Sequence, residues 1–223
     1  MLVFIGTAHF HPQGPSRLNE AVERVRVHFG SSPKFMAVEC SRQDAIDATE
    51  NAASLSDDLR NRFQLSESQA QRLSALRSFE GRFALAQSAS APVVWLNDGL
   101  SGQREDWLLR VTNVLNQIES GNADWSREES LLAIHCEADL WTVSTSIENR
   151  DQEWANEIEE AVSQHVLTRR DYAIVIVGAA HLRAELGQLF HLLGAHERRR
   201  VWLSRDWGAL MDRWMSSSDL RGT

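Results

Sequence analysis

Two histidines follow a glycine in the same four-residue pattern, Gly-x-x-His, at opposite ends of the chain. The first pattern ends at His9 and the second at His181. Each comes directly after a short run of apolar, largely β-branched residues that is typical of a buried strand. In open α/β sheets, ligands bind at the carboxyl ends of the strands. We therefore expect both imidazoles at one edge of a sheet, where they could bind a metal or move a proton.

Two acidic residues follow other predicted strands in the same way. Glu39 follows the apolar run 35–38, and Asp98 follows the run 93–96. Two imidazoles and two carboxylates suit a divalent metal such as zinc or manganese, which polarises carbonyl groups and acidifies bound water. Glu39 could then bind the metal or act as a general base. The structural alternative is that a strand-end histidine is hydrogen-bonded in a turn and that the acids cap the next helices.

His11 completes a second pattern, His9-x-His11. This pairing is the metal-binding pattern of amidohydrolase and PHP-type hydrolases, whose barrels need more strands than this sequence predicts. An amidohydrolase-like enzyme is therefore an alternative. The other interpretation is that His11 is a loop residue before Pro12.

Arg150 lies at the start of a predicted helix, 151–167. The helix macrodipole disfavours a cation in the first turn. One interpretation is a surface arginine paired with Asp151 or Glu153. The other is that Arg150 faces a pocket on the same side of the helix as Trp154, four residues on, and binds an anionic or carbonyl oxygen of a substrate.

The elements that must position these residues alternate along the chain. This alternation predicts an α/β fold with a central, mostly parallel sheet flanked by helices. The whole chain, 1–223, is expected to form one domain, in which a helical insertion at about 42–90 forms either a lid or a small helical subdomain. The predicted strands are 2–5, 35–38, 93–96, 172–177 and 201–203. The predicted helices are 16–29, 42–63 with a break, 66–88, 101–119, 127–139, 151–167, 182–193 and 206–217.

The composition and the charge indicate the expected cellular location and the expected classes of binding partner. The net charge of −8 argues against nucleic acid as the main partner. No apolar run approaches the roughly 20 residues that span a bilayer, and the amino terminus has no signal-peptide pattern. We therefore expect a cytoplasmic protein that acts on a small molecule or a peptide. Trp207 and Trp214 share one side of a predicted helix, which favours either core packing or a homodimer interface.

Taken together, four motif islands resemble the TraB/PrgY/GumN family, which includes the Tiki proteases. They are Gly6-Thr7-Ala8-His9, Glu39, Glu148-Asn149-Arg150-Asp151-x-x-Trp154 and Gly178-Ala179-Ala180-His181-Leu182. The resemblance implies an α/β fold of two similar halves around one site. For the Tiki branch it implies a peptide hydrolase that depends on manganese or cobalt. His9, Glu39 and His181 match the presumed metal or catalytic positions of the family, and Arg150 matches its motif arginine.

The leading hypothesis is thus a metal-dependent hydrolase of a peptide, amide or ester bond. Two features depart from the family. We expect no secretory or membrane-tethering segment, and Ala184 stands where a motif glycine often follows the last histidine. A non-catalytic regulator that binds a peptide signal, as in the TraB/PrgY branch, is the second hypothesis. Haem binding, as in the ChaN proteins of the same fold group, is the third, although Tyr172 lies inside a predicted strand.

Overall fold

Five strands form one all-parallel sheet in the computed structural model, which describes residues 1–7, 14–76, 78–96, 146–182 and 188–203. The α/β class and the parallel sheet are therefore confirmed, and all five predicted strands are present. The order across the sheet is β3-β2-β4-β1-β5. The strands are β1 (Leu2–Thr7), β2 (Met36–Glu39), β3 (Val93–Leu96), β4 (Ala173–Gly178) and β5 (Arg198–Trp202).

The register brings the carboxyl ends of three neighbouring strands level with one another. Thr7, the last residue of β1, pairs with Gly178, the last residue of β4. On the other side of β4, Val38 of β2 pairs with Ile176. Glu39 is therefore level with the end of β4, and the carboxyl edge of the sheet is formed by β1, β4 and β2 side by side.

Helices flank the sheet on both faces. They are α1 (Gly14–Phe29), α2 (Arg42–Glu50), α3 (Ala52–Phe63), α4 (Glu67–Leu76), α5 (Phe79–Gln87), α6 (Ser146–Gln164) and α7 (Leu189–Leu192), with a 3₁₀ turn at Ala179–Leu182. The predicted helices 101–119, 127–139 and 206–217 lie outside the described residues, as do Trp207 and Trp214.

The prediction of a single helix over 66–88 is wrong, because the helical conformation is interrupted at Ser78. Ser78 has a φ of 50°, a left-handed conformation that interrupts a right-handed helix. The break has a packing reason: α4 packs against α3, whereas α5 packs against α2 and β2. The predicted start of this segment is confirmed. The Ser66 backbone N–H donates to Gln69 Oε1 and the Gln69 N–H donates to Ser66 Oγ, which is a capping box.

Two further helix boundaries differ from the prediction. Helix α6 begins at Ser146, so Arg150 lies beyond its first turn and the macrodipole argument does not apply to it. The helix predicted over 182–193 is replaced, in the described residues, by the 3₁₀ turn before 183 and the short helix α7 after 187. As a result, His181 lies in a tight turn directly after β4 and not in a regular helix.

The core has two layers because side chains alternate along each strand. On β4, Ile174 and Ile176 pack in the layer under α1, α2 and α5. Val175 and Val177 pack in the opposite layer, against α6 and α7. Burying each of these side chains contributes about 1.5–3 kcal/mol of hydrophobic stabilisation. In the described part of the chain, none of the helices combines the length and the apolar character that crossing a membrane requires.

The packing of α5 on the end of β2 leads to a first prediction. A Cβ added at Gly81 would lie 2.4 Å from Cys40 Sγ and 2.9 Å from Cys40 Cβ. We expect Gly81→Ala to lower the free energy of unfolding by about 1–3 kcal/mol, because α5 must move away from β2. Urea denaturation measures the change. When Cys40 is already replaced by alanine, Gly81→Ala should lower the free energy of unfolding by less. An equal loss in both backgrounds would contradict this close packing.

Candidate functional site

The side chains of β2 point alternately to the two faces of the sheet, and this alternation places Glu39 at the site. Phe35 and Ala37 pack in the layer that faces α6, so Glu39, two residues on, points to the same face. Its Oε2 accepts a hydrogen bond of 2.5 Å from the backbone N–H of Gly178, at the end of the neighbouring strand. This bond anchors one carboxylate oxygen on the main chain.

His181 lies between two carboxylates. Its Nε2 is 3.5 Å from Glu39 Oε1, and its Nδ1 is 2.5 Å from Asp151 Oδ1. The ring also packs against Trp154, with ring centroids 4.6 Å apart. The 3₁₀ turn after β4 carries the ring back over the sheet edge, toward α6. The predicted approach of His181 and Glu39 at one sheet edge is therefore present.

Asp151 is a functional candidate that sequence reasoning missed. It is 0 % exposed, and its second oxygen, Oδ2, accepts hydrogen bonds from the backbone N–H groups of Gln188 and Leu189 at 2.6 Å and 3.1 Å. One of the two interpretations of Arg150 made Asp151 its partner on the surface, with Glu153 as the other choice. A signal was present: 151 falls on the same helical stripe as the apolar residues 154, 155 and 158, so an aspartate there had to be buried.

Arg150 is also buried, at 8 % exposure. Its Cζ lies 5.6 Å from the centre of the Trp154 ring, as the spacing of four residues predicts. Because Trp154 of α6 contacts His181, Arg150 is connected to the site through the indole. A guanidinium over an indole is a favourable cation–π arrangement that holds the charge in place.

The electrostatics of the site favour a protonated imidazole. Burial of the ring lowers its pKa, but the charge of Glu39 and the hydrogen bonds to Asp151 and Glu39 outweigh that effect. Together they raise the pKa of His181 from 6.5 to about 9. In the metal-free protein, the raised pKa favours the protonated ring at neutral pH.

A divalent metal is the cofactor that the sequence predicts, and two of its four predicted ligands can be tested for fit. His181 Nε2 and Glu39 Oε1 are 3.5 Å apart, close to the separation of about 3.3 Å that two ligands keep on a tetrahedral ion. The other two, His9 and Asp98, lie outside the described residues. Within the described ranges, no group of three or more His, Cys, Asp or Glu side chains could hold a metal. The spacing of this pair is thus compatible with two ligands of one ion, and the described residues supply no third ligand.

Two other sequence candidates have separate outcomes. His11 lies outside the described residues. Tyr172 is fully buried, and its hydroxyl donates to the carbonyl of Ser31, so the tyrosine is engaged in the core.

The raised pKa of His181 gives a pH prediction for the metal-free protein. A raised native-state pKa stabilises the fold fully below the unfolded-state value near 6.5, and this stabilisation is lost as the pH rises toward 9. We expect the free energy of unfolding to fall by up to about 3 kcal/mol over that interval. Urea denaturation with chelator present, compared with His181→Gln, isolates the effect. Parallel pH profiles for the two proteins would contradict it.

Comparisons with known proteins identify no relative of this chain. No family model, no curated protein and no solved structure matches the chain. The assignment of a function therefore depends on the residues of the site and on the resemblance of the sequence motifs.

Proposed function

We propose that this protein is a metal-dependent hydrolase of a peptide, amide or ester bond, of the TraB/PrgY/GumN and Tiki type. The single observation that carries the proposal is the approach of His181 Nε2 to the Glu39 carboxylate at the carboxyl edge of a parallel sheet. That edge is where α/β folds bind ligands. An imidazole and a carboxylate are ligands that zinc, manganese and cobalt accept.

In this proposal His181 and Glu39 hold the cation, and His9 and Asp98 complete the ligand set. The ion would be Mn²⁺, Co²⁺ or Zn²⁺, and when bound it would polarise the substrate carbonyl and lower the pKa of water. The alternative role for Glu39 is that of a general base, which would take a proton from the attacking water while the Gly178 amide holds its Oε2.

Arg150 is the proposed electrophilic group. Its guanidinium is positioned over Trp154, and Trp154 contacts the imidazole. A fixed positive charge stabilises the negative charge that develops on a carbonyl oxygen during hydrolysis. Helix packing holds the side chain in place, so little reorganisation is needed when that charge develops.

The wider architecture of the proposal follows the family resemblance. Two similar halves would enclose the site. Because α2 and α5 of the helical stretch 42–90 are packed in the opposite core layer, a lid would be formed by the rest of that stretch, α3 and α4. The chain would act in the cytoplasm on a peptide or small molecule, without nucleic acid or membrane as partner. A homodimer would form through the helix that bears Trp207 and Trp214.

A non-catalytic regulator is the second candidate, and one observation favours it. Both ring nitrogens of His181 already face carboxylates, Asp151 on one side and Glu39 on the other. A protonated ring is fully satisfied by this arrangement without any ligand. Such a site could stabilise a peptide-binding fold and perform no chemistry. An amidohydrolase-like enzyme gains no comparable support, because the described strands form an open sheet with two ends.

The first test of the proposal is metal content. We expect the wild-type chain to bind one Mn²⁺ or Zn²⁺ ion. The variants His181→Ala and Glu39→Gln should each lose at least tenfold in affinity, since each removes a ligand. Elemental analysis and competition with a chromogenic chelator measure this. The matched controls are His191→Ala and Glu50→Gln, which change exposed residues of the same types. Unchanged affinity in both site variants would contradict the assignment of this site.

The second test is hydrolysis by the metal-loaded protein. A panel of p-nitrophenyl esters, p-nitroanilides and quenched fluorescent peptides covers the three bond types. We expect turnover with at least one of them, and a fall in kcat of about 10²–10⁴-fold in Glu39→Gln if Glu39 transfers the proton. A metal-loaded wild type that hydrolyses no member of the panel would favour the regulator.

A further inference from the structure

The Asp151 carboxylate contacts three donors at once, and this restricts the state of His181. Oδ2 accepts from the backbone N–H groups of Gln188 and Leu189. Oδ1 faces His181 Nδ1 at 2.5 Å. An ionised carboxylate only accepts hydrogen bonds, so the atom that faces Oδ1 must carry a hydrogen.

We infer that Asp151 is a positioning residue, which keeps the proton of His181 on Nδ1 and so leaves Nε2 as the ring's only possible ligand atom. Nε2 is the atom that faces Glu39, at 3.5 Å from Oε1. A carboxylate that accepts from one ring nitrogen fixes the tautomer and orientation of a metal-binding histidine. The use of Nε2 as a ligand rests on the proposed function, whereas the tautomer itself can be measured without metal or substrate.

The two backbone donors determine how an asparagine side chain would be oriented in place of Asp151. Asparagine has the shape of aspartate but offers one oxygen and one NH₂ group. If its oxygen faced His181, the NH₂ group would oppose the two N–H groups of Gln188 and Leu189. The opposite orientation keeps both backbone bonds and turns the NH₂ group toward His181 Nδ1. Nδ1 must then accept, so Asp151→Asn should move the ring proton to Nε2.

The experiment is long-range ¹H–¹⁵N spectroscopy of the His181 ring in metal-free protein, at a pH above the pKa of the ring. The wild type should show a protonated Nδ1 and a bare Nε2, and Asp151→Asn should show the reverse. Zn²⁺ affinity, measured by competition, should fall 10–100-fold in Asp151→Asn. The matched control is Glu159→Gln. Glu159 is on the same helix and also contacts a histidine, His196, at 2.7 Å. This variant should therefore change neither the tautomer of His181 nor the Zn²⁺ affinity.

Three results would overturn the inference. One is a neutral wild-type ring that carries its proton on Nε2, which needs no variant and so does not depend on whether Asp151→Asn folds. Another is a folded Asp151→Asn with the wild-type tautomer. The third is an equal Zn²⁺ affinity of wild type and Asp151→Asn. If the metal-loaded wild type also hydrolyses its substrate, this result would leave the proposed function standing. The expected tautomers in a chain that binds no metal would support the inference and contradict the proposed function.

Discussion

The geometry of the site depends on one buried charge, the carboxylate of Asp151. Removing an ion from water costs several kcal/mol even after the protein relaxes, and only well-placed hydrogen bonds offset that cost. Asp151 is fully buried and receives its bonds from His181 and from the backbone at 188 and 189. Hydrogen bonds from this one side chain therefore link its helix, the turn after β4 and the start of α7. Without Asp151, a buried imidazole and two backbone donors would lose their acceptor at the same time.

Glu39 adds a second negative charge beside the same ring, and the charge balance explains why a cation suits this place. With both carboxylates ionised and the ring protonated, the Asp151–His181–Glu39 cluster carries one net negative charge. Because an uncompensated negative charge is costly in a buried place, a positive charge beside these three side chains is favoured electrostatically. The bond from the Gly178 amide to Glu39 Oε2 keeps the carboxylate in position.

The sequence predicted those parts of the fold that depend on local patterns. Apolar, β-branched runs identified the five strands, and the parallel sheet then placed Glu39 and His181 at one edge. Boundaries set by tertiary packing were not predictable in this way: Ser78 divides a continuous helical pattern because α4 and α5 pack against different partners. The role of Asp151 was missed for a related reason. The helix was expected to start at 151, where an acidic residue is an ordinary first-turn residue on the surface. It starts at Ser146, which places Asp151 on the buried stripe.

Anomalous diffraction is the most direct test of the central claim that His181 and Glu39 form one metal site. Crystals grown with added Mn²⁺ or Zn²⁺ would be measured above and below the absorption edge of the metal. The account predicts one strong anomalous peak at a bonding distance of about 2.1 Å from His181 Nε2 and from an oxygen of Glu39. Metal peaks that lie elsewhere, with the His181 ring still bridging Asp151 and Glu39, would contradict it.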